Sequence, residues 1–229
     1  MMHHQPRTRA LWAKLVRFGF RQLYTRFAWA YDAIAAGVSF GEWQAWGRCA
    51  IPFLRGRRIL ELAHGPGHLH IALRTHGLDV VSIDLSAQMG ALARRRIQAF
   101  LRRQPSSALH DVRLARADAR RLPFSDAAFD SMVSTFPTDF IFTAEALGEA
   151  KRVLRPNGAL VIVPTAELRT GGAVERLIDG LYHVTAQRRQ VDISLIERFA
   201  SASFSLHTET VETDRARVTV WVCESVKTT

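Results

Sequence analysis

From residue 57 onward the chain alternates short strand-forming apolar runs with longer amphipathic stretches, and this alternation constrains the fold more than any other feature. Residues 58–62, 79–84, 112–117, 129–134 and 159–163 read as five strands. Between them, a helix is expected from Gly67 to about Thr75, and a second from the N-cap Ser86 to about Arg103. A third spans residues 143–154 and is stopped by Pro156, Asn157 and Gly158. Strands linked by helices imply right-handed crossovers and a mostly parallel, doubly wound sheet of the α/β class. The end of the chain departs from that rhythm. Residues 204–213 and 215–223 form two strands joined by a tight turn, with Val218, Val220 and Val222 on one face and Thr219 and Trp221 on the other. The expectation is a seven-stranded sheet closed by a C-terminal antiparallel hairpin.

Parallel α/β sheets bind ligands at the carboxyl ends of their strands. The first strand therefore delivers the loop Glu61-Leu62-Ala63-His64-Gly65-Pro66-Gly67 to that crevice. Its glycines let backbone approach a ligand, and the carboxylate of Glu61 suits a cationic group. Asp84 ends the second strand, 23 residues later, where an acid can accept hydrogen bonds from ribose hydroxyls. A nicotinamide-binding fold shares these features. Its fingerprint, however, wants Gly or Ala at a third position where this chain has His70.

With these residues in place, the chain resembles the class I S-adenosylmethionine (SAM) dependent methyltransferases, particularly the branch acting on quinone precursors. Ile59-Leu60-Glu61-Leu62 and the glycine loop are similar to that family's first motif. The run Asp84-Leu85-Ser86-Ala87-Gln88-Met89 resembles its D-x-S-x-x-M segment, and Ala117-Asp118-Ala119 its adenine-contacting acid. Arg152-Val153-Leu154-Arg155-Pro156-Asn157-Gly158 resembles its R-x-L-(R/K)-P-G-G turn, and Tyr31-Asp32 with Ser39-Phe40-Gly41 its upstream segment. The resemblance implies a Rossmann-like fold and SAM as cofactor. It implies cofactor contacts from Tyr31, Glu61, Ala63, His64, Gly65, Gly67, Asp84, Leu85, Met89, Asp118, Ala119 and Ser134, and no metal. Ala63 stands where the family has a glycine, which requires negative φ at that position or a reshaped loop.

Methyl transfer demands mainly alignment of acceptor, methyl and sulfur. A phenol or carbon acid also needs a base, for which His64, His68, Tyr31, Asp139 and His183 are candidates. The run Thr135-Phe136-Pro137-Thr138-Asp139-Phe140 is positioned either to face the acceptor or simply to turn into the next helix. Its aromatic residues suit a small, apolar or aromatic acceptor. Residues 1–50 are expected to form a helical cap and 51–229 the methyltransferase domain, with 166–190 as a lid or a core-packing insertion.

The net charge of +10 invites an anionic partner. Residues 7–30 read as a helix with six cations (Arg7, Arg9, Lys14, Arg17, Arg21, Arg26), able to lie on an anionic membrane or to cap the domain. Nucleic acid is the less favoured partner, because the fourth strand lacks an Asn/Asp-Pro-Pro-Tyr/Phe signature. RNA methylation and a catalytically silent SAM-binding role stand as alternatives. Cys49 and Cys223 fit no metal or redox spacing and read as buried thiols of a reducing cytoplasm. No apolar run reaches the roughly 18 residues of a spanning helix, and no secretory signal is expected.

Overall fold

The computed structural model describes residues 41–103, 112–169 and 193–226. Its elements run α1 (Trp43–Arg48), a 3-10 turn (Ile51–Phe53), β1 (Arg58–Leu62), α2 (His68–Thr75), β2 (Asp79–Asp84), α3 (Ala87–Leu101), β3 (Arg113–Arg116) and β4 (Phe129–Thr135). A second 3-10 turn (Asp139–Phe142) then leads to α4 (Ala144–Val153), β5 (Leu154–Leu168), α5 (Ile193–Ser201), β6 (Phe204–Glu212) and β7 (Ala216–Ser225). One seven-stranded sheet has the order β3-β2-β1-β4-β5-β7-β6. The pairs among β1 to β5 are parallel, whereas β7 pairs antiparallel with both β5 and β6. This is the doubly wound sheet with a closing hairpin that the sequence led us to expect.

The side-chain period of two divides the strands between two cores. Leu60, Leu62, Ile83, Met132, Ile162 and Trp221 fill one face with Leu147 of α4 and Phe199 of α5. Ile59, Val80, Val133, Val161 and the alternate valines 218, 220 and 222 fill the other with Trp46, Leu69 and Leu73. Trp46 and Ala50 are completely buried, so the chain before β1 is built into this second core. Burying an aromatic side chain of this kind contributes several kcal/mol.

Helix boundaries follow side-chain chemistry. Ser86 caps α3 by accepting from the Met89 amide at 3.2 Å, and Thr143 caps α4 by accepting from the Ala146 amide at 3.2 Å. Helix α4 stops at Val153, and the chain passes directly into β5, with Asn157 taking the left-handed conformation (φ 65) that asparagine tolerates. Strand β5 is much longer than the 159–163 read from sequence. It continues to Leu168 because residues 165–168 pair with Thr219, Val218, Arg217 and Ala216. Residues 166–168, assigned from sequence to a lid or insertion, are therefore sheet. The rest of that segment from residue 170 lies outside the described residues, as do the basic run 7–30, Tyr31 and His183.

The arginine-proline segment ties the fold together from behind. Arg152 donates to the Phe124 carbonyl at 2.7 Å, the Leu122 carbonyl at 3.1 Å, Asp126 at 2.8 Å and Glu149 at 2.7 Å. Glu149 in turn accepts from the Leu122 amide at 2.6 Å. The loop between β3 and β4 is thus clamped to α4. Arg155 reaches Asp130 at 2.5 Å, whose carboxylate also receives the Arg57 and Arg58 amides at 2.9 Å.

Replacement Trp221→Ala, which empties a wholly buried site beside Phe142 (ring centroids 5.9 Å apart), is expected to destabilise the chain by about 3–5 kcal/mol. Urea unfolding followed by circular dichroism would measure it.

Candidate functional site

At the carboxyl end of the sheet the chain leaves β1, turns through residues 63–67 and enters α2. Gly67 (φ 84) precedes the helix, and a Cβ there would meet the Ala93 Cβ at 2.9 Å, so only glycine fits. Ala63 also has positive φ, at 54, against the sequence expectation of negative φ at an alanine. Its glycine-like turn is imposed by tertiary bonds, since the His64 amide donates to the Ile83 carbonyl at 3.2 Å and the Gly65 amide to Asp84 Oδ2 at 2.9 Å. The strain of about 1–2 kcal/mol is tolerated where the surroundings over-determine the backbone.

A small, open cavity of about 50 Å³ lies against this loop. Glu61, Ala63, His64, Gly65 and Pro66 form its floor, His68 and Leu69 one side, and Trp43, Gln44, Gly47 and Thr135 another. Of the residues read from sequence as cofactor contacts, Glu61, Ala63, His64 and Gly65 meet here. Asp84 adjoins them through Gly65, and its other oxygen accepts from the Ser86 amide at 2.8 Å. Each of its oxygens keeps a second lone pair for a ligand.

The remaining described candidates stand outside the cavity's lining. Leu85 is 58% exposed, while Met89 and Ala119 are buried. Asp118 is held by its neighbour Arg120 at 2.6 Å, and that guanidinium keeps its carboxyl below the usual carboxylate range. Ser134 is fully buried and donates to the Leu62 carbonyl at 3.2 Å, bridging β1 and β4. Asp139 lies exposed at the start of the second 3-10 turn.

Trp43, Gln44 and Gly47 were not anticipated. Their helix α1 is brought over the loop by Trp46, which is buried in the core, while Trp43 stacks on Phe136 with centroids 4.0 Å apart. The available signal was the pairing of aromatic residues at 43, 46 and 136, meaningful only once the fold joins them.

Glu61 is the electrostatic centre of the site. Its side chain is buried beside the cavity and accepts a 2.5 Å hydrogen bond from Ser82. Burial, reinforced by the nearby Asp84 charge and opposed by the Ser82 bond, pushes its carboxyl up to about 8. Among the described residues the nearest basic side chain is His70, at 4.0 Å. Burial, with His64 and Arg74 nearby, lowers His70 to about 4, so it is neutral and supplies no countercharge. His64 is also buried, and burial outweighs the opposing pull of Asp84 to lower its pKa. Its Nδ1 lies 2.8 Å from the Gly65 carbonyl, which can only accept. In neutral His64 the proton is therefore on Nδ1, and Nε2 is a bare lone pair. Among the described residues no group of three or more His, Cys, Asp and Glu side chains is arranged to hold a metal, and no helix is long and apolar enough to cross a membrane.

Comparison with known proteins converges on one family. Residues 60–162 match the family described as Methyltransferase domain. A demethylmenaquinone methyltransferase of Thermus thermophilus is 37% identical over 147 residues, 62% of this chain and 63% of that protein. Another from Deinococcus radiodurans is 32% identical over 165 residues, 69% of this chain and 65% of that protein. The chain thus spans somewhat less than two thirds of the length of these curated relatives. Among solved structures, a SAM-dependent methyltransferase of Thermotoga maritima superposes with a TM-score of 0.60 at 18% identity, covering 90% of this chain and 99% of that one. A geranyl diphosphate C-methyltransferase from Streptomyces coelicolor gives 0.58 at 15%, covering 80% and 79%. These structural likenesses establish the shared fold.

Between pH 4.5 and about 8, folded Glu61 keeps a proton that the unfolded chain has lost, so its contribution to stability falls as pH rises through that window. His70 acts in the opposite sense, and its contribution is lost as pH drops from 6.5 towards 4. Glu61→Gln is therefore expected to melt higher than the parent at pH 9 and nearly with it at pH 5. A gain of at least about 2 °C is expected at pH 9, since each kcal/mol moves Tm by about 2–4 °C in a chain of this size. Calorimetric melts at the two pH values would check this.

Proposed function

We propose that this chain, a member of the class I methyltransferases, transfers a methyl group from SAM to a ring carbon of a quinone-precursor acceptor. The single observation that carries the proposal is the buried carboxyl of Glu61, which borders the cavity near the end of β1. A carboxylate so placed needs a positive partner. Among the described side chains beside it there is only neutral His70. An amino-acid ammonium would meet that need, and the open space at Gly65, where a Cβ would meet nothing within 4 Å, leaves room for it. In this reading Glu61 holds the ammonium, Asp84 receives the ribose hydroxyls, and Asp118 and Met89 serve the adenine end. Bound there, SAM supplies an electrophilic methyl with a neutral thioether as leaving group.

The acceptor side is supported by the aromatic wall. Trp43 stacked on Phe136, with Thr135 beside it, offers a flat surface to a ring. The named relatives act on demethylmenaquinone, as their descriptions state, and a demethylated quinol is the acceptor we infer. A ring carbon that gains a methyl must lose its proton. His64 is the base best placed for this, because its Nδ1 hydrogen is committed to Gly65 and its Nε2 lone pair is left over. Burial keeps it neutral and ready at physiological pH. An acceptor of this kind dissolves in membranes, and the six cations before Asp32 support docking on an anionic membrane surface. The cytoplasmic face is the compartment we infer for it.

Transfer of labelled methyl from SAM should appear in demethylated quinols, and label in RNA alone would refute the acceptor. His64→Gln should lower kcat by about 100-fold. In the parent enzyme activity should fall on the acid side, at a pH below the ordinary histidine value of about 6.5, and the variant should lack that limb. An unchanged kcat and pH profile would remove His64 from the role.

A further inference from the structure

Behind Glu61, three polar side chains from three elements meet inside the core. Ser82 of β2 places its Oγ 2.5 Å from Glu61 Oε2 and 2.7 Å from His70 Nδ1 of α2. All three residues are at most 2% exposed. A serine hydroxyl has a single hydrogen, and if that hydrogen is used in one of the two bonds, both can form in only two ways. In one, ionised Glu61 accepts from Ser82, and Ser82 accepts from His70 Nδ1–H. In the other, protonated Glu61 donates to Ser82, and Ser82 donates to a bare His70 Nδ1, whose ring carries its hydrogen on Nε2. In both arrangements the two buried bonds are made and the ring is neutral.

We propose that Glu61, Ser82 and His70 form a proton relay in which the charge of the ligand-facing carboxylate and the tautomer of His70 switch together. His70 and Ser82 are positioning residues here; neither touches a ligand. When Glu61 ionises, its proton passes to Ser82 Oγ, the Ser82 hydrogen passes to His70 Nδ1, and one proton leaves from His70 Nε2. The count balances, with one proton released and no charge left on serine or histidine. The other groups facing the relay bias it without joining it. Asp84 of β2 favours the protonated carboxyl, Arg74 of α2 and His64 of the loop keep His70 neutral, and β4 presents only Val133 and Ser134. His68 lines the cavity, and Arg96 of α3 donates to the Pro66 carbonyl at 2.6 Å. The device lets a buried carboxylate be neutral before a cation arrives and charged afterwards, with both bonds of Ser82 kept in either state. Its use rests on the cofactor reading above, whereas its chemistry belongs to the three side chains alone.

The first test needs no ligand. Nitrogen-15 NMR of the full chain, with the His70 resonance assigned from His70→Asn, follows the ring between pH 6 and 10. The expected result is a change from the Nε2–H to the Nδ1–H tautomer, centred near 8 where Glu61 titrates. In Glu61→Gln the side-chain amide donates to Ser82, and the ring should stay Nε2–H throughout. In Ser82→Ala the tautomer should no longer change with pH. A ring that keeps one tautomer in the parent chain, or that still switches in Ser82→Ala, overturns the relay. The second test is titration calorimetry with S-adenosylhomocysteine at pH 7 in buffers of different ionisation enthalpy. Close to one proton should be released per ligand bound, and none by Glu61→Gln. Binding without release overturns the relay and leaves the cofactor reading standing. A tautomer switch without any binding does the reverse.

Discussion

A carboxylate is buried at the end of the central strand, and the arrangement around it follows from that constraint. An ionised carboxylate out of water is penalised by several kcal/mol unless partnered. At Glu61 the chain supplies one hydroxyl and no described cationic side chain. The neighbouring Asp84 increases the penalty, yet it is needed to hold Gly65 and Ser86 by their amides. Two acids at the ends of adjacent parallel strands make a site whose missing component is positive charge. The sheet order explains why they are adjacent: β1 lies between β2 and β4, where the winding reverses and the connecting loops separate.

Much of this was legible before any coordinates. The strand ends at Leu62 and Asp84, the Ser86 cap and the hairpin of alternating valines are local patterns, and local patterns survive folding when tertiary packing agrees with them. Three features were not legible. The positive φ of Ala63 depends on bonds to Ile83 and Asp84, some 20 residues away, which override the residue's own preference. The length of β5 depends on a partner strand 50 residues later. The pocket wall at Trp43 depends on α1 docking against a core that has no sequence signature near residue 43. Candidate residues divided in the same way. Those adjoining the glycine loop assembled, whereas Ser134 serves strand pairing and Asp139 lies on the surface.

The arginine content also takes on a structural meaning. Arg152 and Arg155 lie in a segment that resembled a family turn, and the structure shows them fastening the loops behind the sheet through carbonyls and acids. Asp118, on the loop that Arg152 steadies, is itself paired with Arg120. Part of the arginine content is therefore internal scaffolding, and because each ion pair cancels one charge of either sign, the net excess of +10 is unchanged by it.

The stack of Trp43 on Phe136 joins two regions far apart in the chain. Phe136 lies within the stretch matched by the methyltransferase family, residues 60–162, and Trp43 lies before it. One side of the cavity, at Trp43, Gln44 and Gly47, is thus furnished by chain outside that stretch. A change in α1 can therefore reshape that wall while the loop and both acids stay as they are.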